Sequence, residues 1–356
     1  MSTYLDHAAT TPMRPEAVDA MVPFLGDRFG NPSGSHAVAR EAKKALEDAR
    51  EIVASALGAR PGEVVFTGGG TEADNLAVLG RHAVQRGPLV CTAIEHHAVL
   101  HACAAAGEQR LAPVGSDGVV DLDAFGDLLD GDVSVVSVML ANNEVGTIQP
   151  FADVAALVRE RAPGAVLHTD AVQAFPWLDV ASLAAAADMV AVSAHKFGGP
   201  KGVGALVVRD GVKVAPIIHG GGQERDRRSG TYNVAGIAGM AAAMQGTVAD
   251  RRETVRRVSA LRDRLRKVAG NCHLSFEGVE AEALLVLLDG AGICASAGSA
   301  CTSGAVEPSH VLTAMGVPPE RAVGALRLSL GVTTTEADVE LALDAVPSAV
   351  ARLRSS

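Results

Sequence analysis

The stretch AVLHTDAVQAFPWLDVASLAAAADMVAVSAHKFGGPKGVGALVV, residues 165–208, holds three apolar runs: AVLHTD (165–170), DMVAVS (188–193) and GVGALVV (202–208). Runs that are apolar throughout, rather than alternating with polar residues, are strands buried on both faces. Strands of this kind separated by helical stretches build a mainly parallel sheet. The pattern continues upstream in EVVFT (63–67), LVCTA (89–93) and VSVVSVML (133–140). Ahead of them, SHAVAREAKKALEDAREIVASALG (35–58) spaces Val38, Ala42, Leu46, Ala49, Val53 and Leu57 as one face of a helix, with Gly58 as its stop. From about Ala249 the character changes, and RRETVRRVSALRDRLRKVAG (251–270) reads as a long charged helix leading into shorter elements. The fold class is therefore α/β, with a second, smaller unit formed by the C-terminal part and the first dozen residues.

The residues that follow the strands carry the chemistry. They are Gly68-Gly69-Gly70-Thr71-Glu72, Glu95-His96-His97, Asn142-Asn143-Glu144, Asp170 with Gln173, and Ser193-Ala194-His195-Lys196. Ligands of open α/β sheets bind outside the carboxyl ends of the strands, so these clusters converge on one cleft.

Composition bounds what that cleft can serve. The 356 residues include 31 Lys+Arg against 41 Asp+Glu, a net charge of −10, which supplies no global basic face for nucleic acid. Aromatic residues are only 3 %, so few rings are available to stack on a planar ligand. The N-terminus has neither a basic nor an apolar signal region, and no apolar run reaches membrane-spanning length, which sets the expectation of a cytoplasmic chain. The cysteines are Cys91, Cys103, Cys272, Cys294 and Cys301, an odd number without a C-x-x-C pair, which is no disulfide framework and no local metal site.

A lysine at a strand end beside a cleft, such as Lys196, can form a Schiff base with an aldehyde, although it is also readable as a solvated residue. Asp170 supplies a carboxylate for a buried cation such as a pyridinium nitrogen, or a helix cap. The glycines at 68–70 lie between strand and helix, where free N–H groups favour phosphate; they match neither a P-loop nor a dinucleotide fingerprint. His96 can act in acid–base chemistry and lie flat on a ring. His97 and His101 are four apart on a helix but lack a third metal ligand at supporting spacing. Cys301, among small residues, is the candidate thiol nucleophile, and Arg327 in ALRLSLG is either an edge-strand residue or a carboxylate fork.

Ten ordered motifs resemble the cysteine desulfurases of the class V aminotransferase group, fold type I pyridoxal phosphate enzymes. They are YLDHAATTP (4–12), FGNPSGSH (29–36), FTGGGTEADNLAV (66–78), EHHAVL (95–100), NNEVGTIQP (142–150), HTDAVQAF (168–175), SAHKFGGPKGVGAL (193–206), HGGGQERDRRSGT (219–231), SAGSACTS (296–303) and LRLSLG (326–331). The cysteine in SAGSACTS is similar to that of the NifS/IscS type. The resemblance implies a mainly parallel seven-stranded sheet in a large cofactor-binding domain (13–250), and a small domain (1–12 and 251–356) that carries the catalytic cysteine loop. It also implies pyridoxal 5'-phosphate as cofactor and a homodimer.

By the same resemblance, Lys196 would carry the cofactor aldehyde as a Schiff base, Asp170 would pair with the ring nitrogen, and Gln173 would hydrogen-bond the ring hydroxyl. His96 would stack on the ring and shuttle protons. Gly70, Thr71, Ser193 and His195 would hold the phosphate, joined by Thr231 of the other subunit, while Asn143, Arg327 and Asn31 would bind substrate. L-Cysteine would become alanine, with its sulfur left on Cys301 as a persulfide for an acceptor in iron–sulfur assembly or thio-modification. Another reaction on the same fold, selenocysteine cleavage or transamination, is the alternative. No metal and no direct nucleic-acid contact is expected.

Overall fold

The computed structural model describes residues 2–269, 273–297 and 308–355. The strands are β1 (Thr3–Tyr4), β2 (Val64–Thr67), β3 (Leu89–Thr92), β4 (Gln109–Ala112), β5 (Val135–Ser137), β6 (Val166–Asp170), β7 (Met189–Ser193), β8 (Gly204–Val208), β9 (His273–Ser275), β10 (Ile293–Cys294) and β11 (Ala325–Arg327). Seven of them form the central sheet in the order β2-β8-β7-β6-β5-β3-β4. β8 runs antiparallel to both of its neighbours and the other pairings are parallel. The connection 194–203 is too short for the crossover that a parallel pairing requires, so β8 must reverse.

The six apolar runs of the sequence all become strands of this sheet, and the seventh is β4. Its residues QRLA are not an apolar run, because an edge strand has one neighbour and Leu111 stays half exposed. The helix anticipated at 35–58 spans Ala37–Ala56, and Gly58 follows it with φ +59°.

The helix expected from about Ala249 is part of a single 36-residue helix, Val234–Ala269. Its first half is rich in Ala and Gly and packs closely on the helix Pro15–Leu25: a Cβ on Gly239 would come within 2.6 Å of Met21 Cγ. One helix thereby serves two cores. Ile237, Met240, Ala241 and Met244 belong to the core under the sheet. Val258, Leu261 and Leu265 belong to a second core with Leu5, Leu284, Leu288, Leu326 and Val339. The charged appearance of its second half reflects a helix that buries a single apolar stripe. The N-terminal residues join this second core, where β1 pairs in parallel with β10 and Asp6 bridges Ser329. Among the described residues no helix is long and apolar enough to cross a membrane.

Glu224, Arg225 and Asp226 are three consecutive non-glycine residues with left-handed backbone, φ 51°, 58° and 63°. Such residues cost on the order of 1–3 kcal/mol each and persist where surrounding contacts impose them. Here the constraint is a buried ion pair: Arg50 Nη2 donates to Glu224 Oε1 at 2.7 Å and Nη1 to Oε2 at 2.9 Å, and Phe66 N–H adds 3.1 Å to Oε2. Both side chains are almost fully buried. Glu224→Ala is expected to lower stability by about 3–5 kcal/mol in urea unfolding, because it breaks a buried ion pair and leaves the Arg50 guanidinium with the Val64 carbonyl and the half-exposed Glu47 at 3.3 Å.

Candidate active site

β6 closes on Asp170, whose carboxylate is 6 % exposed and accepts Val172 N–H at 2.8 Å through Oδ1. Burial pushes its pKa up, while His96, the Val172 N–H and Lys196 pull it down. A buried carboxyl at a sheet's carboxyl edge is suited to hold a cation.

His96 follows β3 and caps the helix His97–Ala106, with Nδ1 accepting the Ala98 N–H at 3.1 Å. Nδ1 therefore carries no proton, and the neutral ring has its hydrogen on Nε2. Burial lowers the pKa of His96 more than Asp170 raises it, which favours that neutral form.

Lys196 ends the tight turn Ala194–Lys196 after β7, and its Nζ donates to Ala8 O at 2.6 Å and Ala9 O at 3.0 Å. The N-terminal segment is thus stitched to the sheet edge. Thr11 donates to His195 O, and His195 Nδ1 lies 3.2 Å from Thr10 Oγ1. Burial, with Lys196 and Lys201 nearby, depresses His195 to about 4, so it is neutral at pH 7.

The helix Gly70–Asn75 begins beside Ser193, and a Cβ on Gly70 would come within 2.9 Å of Val172 Cγ2 and 3.4 Å of Ser193 Cβ. This crowding explains glycine at 70 and leaves the helix N-terminus bare. Thr71 is exposed at that terminus. Glu72 is engaged elsewhere: it accepts Gly68 N–H at 2.7 Å and pairs with Arg228 at 2.7 Å. Thr231 is exposed and lines a cavity of about 100 Å³ with Thr67, Gly68, Glu224 and Arg228.

Arg327 ends β11 at 4 % exposure, donating to Asn143 O at 3.2 Å and to Asp6 Oδ1 at 2.9 Å. Asn143, Gln173 and Arg327 line one cavity of about 490 Å³ that extends to Trp177 and His273. Gln173 Oε1 is buried without a hydrogen-bond partner. Asn31 is exposed, and its Oδ1 accepts Ser33 N–H in a local turn. The rings of His97 and His101 stack at 5.1 Å, and His97 meets His310 at 4.4 Å. Cys91 and Cys103 are fully buried.

Cys301 lies outside the described residues. The chain on either side of 298–307 is anchored beside the cleft: Ser296 exchanges backbone hydrogen bonds with Arg327, and Ser309 Oγ donates to Glu144 at 2.5 Å. His310 Nε2 stands 2.9 Å from Glu95 O.

The structure thus brings together Lys196, Asp170, His96, Ser193 and Gly70 at the sheet edge, with Asn143, Gln173 and Arg327 on the adjoining cavity. The carbonyls of Ala8 and Ala9, Thr10 and Asp6 were not legible as site groups. The motif YLDHAATTP contains all four residues, but only tertiary docking reveals their partners.

The profile of the family Aminotransferase class-V matches residues 3–342. The chain is 47 % identical to the IscS-like cysteine desulfurase of Mycobacterium tuberculosis, over 99 % of this chain and 97 % of that protein. It superposes on a NifS-like protein with a TM-score of 0.89 at 36 % identity, covering 100 % of this chain and 99 % of the other. It also superposes on SspA, solved in complex with cysteine, with a TM-score of 0.80 at 31 % identity, covering 94 % of this chain and 100 % of that one.

Proposed function

The chain belongs to the class-V aminotransferase family and, within it, to the IscS/NifS-type cysteine desulfurases, and from that membership we propose that it works with pyridoxal phosphate and passes sulfur through Cys301. It is an enzyme that converts L-cysteine to L-alanine and transfers the sulfur; selenocysteine cleavage or transamination as its main reaction is not favoured. The observation that carries the site assignment is the buried Asp170 carboxylate facing His96 and Lys196.

The residues present fit this cofactor. Asp170 is a buried carboxyl that accepts Val172 N–H, Gln173 Oε1 is a buried acceptor without a partner, and Gly70 keeps a helix N-terminus open beside Ser193. Bound pyridoxal phosphate supplies an aldehyde for an amine and a ring that withdraws electrons from the substrate Cα. Asp170 would hold the proton on the ring nitrogen, His96 would cover the ring face, and Gln173 would meet the ring hydroxyl. Gly70, Thr71, Ser193 and His195 would hold the phosphate, with Thr231 of a second copy.

Arg327 and Asn143 would bind the substrate carboxylate, with Asn31 nearby, and Asp6 sets the plane of the guanidinium. Lys196 would remove the Cα proton; the Ala8 and Ala9 carbonyls fix where its amine sits. Cys301, as thiolate, would form an S–S bond while the Cβ–S bond of the substrate breaks. The electron pair departs with the carbon, whose protonation yields alanine. Neutral His96, with hydrogen on Nε2, can give a proton and take one from a thiol. No external oxidant is required, because sulfur is oxidised as carbon is reduced. The anchoring of 296 and 309 beside the cleft supports delivery of Cys301 to the substrate.

A homodimer is part of this reading. Val22, Leu25 and Phe29 are 58, 70 and 76 % exposed on the helix Pro15–Leu25 and just after it, apolar surface suited to a second copy. The division into 13–250 and 1–12 with 251–356, a cytoplasmic location and a protein sulfur acceptor complete the proposal.

Incubated with pyridoxal phosphate, dithiothreitol and L-cysteine, the full chain is expected to release alanine and sulfide in equal amounts. Alanine without sulfide, or neither product, would sink the proposal.

A further inference from the structure

Behind Asp170 the sheet carries ionisable groups that the chemistry above does not use. Asp74, on the helix Gly70–Asn75, and His168, two residues before Asp170 on β6, are 1 % and 0 % exposed. Asp74 Oδ1 lies 3.6 Å from His168 Nε2, and neither atom has a hydrogen-bond partner. That separation lies just beyond hydrogen-bond length. The other side of the ring is fixed, with Nδ1 2.9 Å from Ser137 Oγ. Nearby, fully buried Glu95 accepts Thr92 Oγ1 and Met139 N–H through Oε1 and leaves Oε2 unpartnered.

The titratable groups around this interior are Asp74 from its helix, His168 and Asp170 from β6, Cys91 from β3 with Glu95 and His96 just after it, Cys103 from the helix His97–Ala106, and Lys196 after β7. Three neighbouring carboxyls in a dry interior cannot all ionise, because each charge is costly to desolvate and repels the others. Asp170 has the Val172 N–H at 2.8 Å and Lys196 nearby to support its charge. The ionisable neighbours of Asp74 that act on its charge are Asp170 and Glu95, and both oppose it.

We propose that Asp74 is a neutral carboxylic acid in the folded protein, donating its proton to His168 Nε2, and that this pair is a positioning device that leaves Asp170 as the ionised carboxyl behind the ring-nitrogen site. Burial depresses His168 to about 3, so its ring is neutral and carries its own hydrogen on Nδ1, directed at Ser137 Oγ. Burial, Asp170 and Glu95 together raise Asp74 well above the usual carboxylate range. With Asp74 and His168 uncharged, Asp170 is the carboxyl whose negative charge acts at the ring-nitrogen site.

The purpose of the pair rests on the reading of Asp170 as the ring-nitrogen partner; its protonation state does not. The test therefore uses the cofactor-free full chain, unfolded by denaturant between pH 5 and 7, as wild type and as Asp74→Asn. A carboxyl protonated when folded and ionised when unfolded, with an unfolded pKa of about 3.9, makes stability fall as pH rises. Asparagine removes that linkage. The folding constant of Asp74→Asn relative to wild type is expected to rise about tenfold per pH unit. Asp74→Ser, a smaller neutral replacement, is expected to give the same slope. A ratio that stays flat with pH shows an ionised Asp74 and overturns the proposal.

With pyridoxal phosphate bound, Asp74→Asn is expected to leave the pH midpoint of the cofactor absorbance within about 0.3 unit of wild type. A shift of about one unit or more shows that Asp74 carried charge there and also overturns it. Failure of the chain to bind the cofactor at all would count against the proposed function and leave the unfolding slope readable.

Discussion

Lys196→Ala is expected to abolish covalent capture of the cofactor by borohydride and to lower alanine production from L-cysteine by about 10²–10⁴-fold, the usual contribution of a positioned general base. The wild-type protein, mixed with pyridoxal phosphate, is expected to be yellow and to retain a pyridoxyl group on Lys196 after reduction. Peptide mapping of the reduced protein checks both. The substitution also removes the donor for Ala8 O at 2.6 Å and Ala9 O at 3.0 Å. Leaving these acceptors unsatisfied costs about 1–3 kcal/mol, so an unfolding curve must accompany the assay. Asp170 and His96 remain in place, and the variant is expected to bind the cofactor without a covalent bond. Capture on another lysine, with activity retained, would remove Lys196 from its assigned role.

Cys301→Ser is expected to bring sulfide release with dithiothreitol down to the level seen without protein, while the absorbance of bound cofactor is unchanged. A serine hydroxyl is not ionised at neutral pH and is a poor nucleophile toward sulfur, whereas a thiolate is a strong one. The groups proposed to hold the ring are Asp170, His96, Gln173 and Lys196, at the ends of β3, β6 and β7, and the substitution alters none of these residues. Loss of the spectrum together with activity would point to a structural role for the residue, and undiminished sulfide release would end its assignment as sulfur carrier. Cys91 and Cys103 offer no replacement, because both are fully buried.

Much of the architecture was legible in local patterns. The runs at 63–67, 89–93, 133–140, 165–170, 188–193 and 202–208 all enter one sheet, because strands buried on both faces leave an unbroken apolar trace. Gly58 marked the end of a helix because that position requires a left-handed turn. β4 escaped notice, since an edge strand need not be apolar, and the helix Val234–Ala269 was anticipated only in its charged half. Its small-residue half owes its place to close packing against another helix.

The sequence by itself determined that a parallel sheet would present Lys196, Asp170 and His96 at its carboxyl edge, because each follows its own strand and strand-end residues inherit their position from the strand. Only the tertiary structure decided what those groups feel. The carbonyls that hold Lys196 come from residues about 190 positions away, and Arg327 meets Asp6 across nearly the whole chain. Asp74 faces His168 because a helix from one connection lies over a strand from another. Charge state in an interior is set by burial and by neighbours within a few ångströms, and neither can be read from a residue's place along the chain.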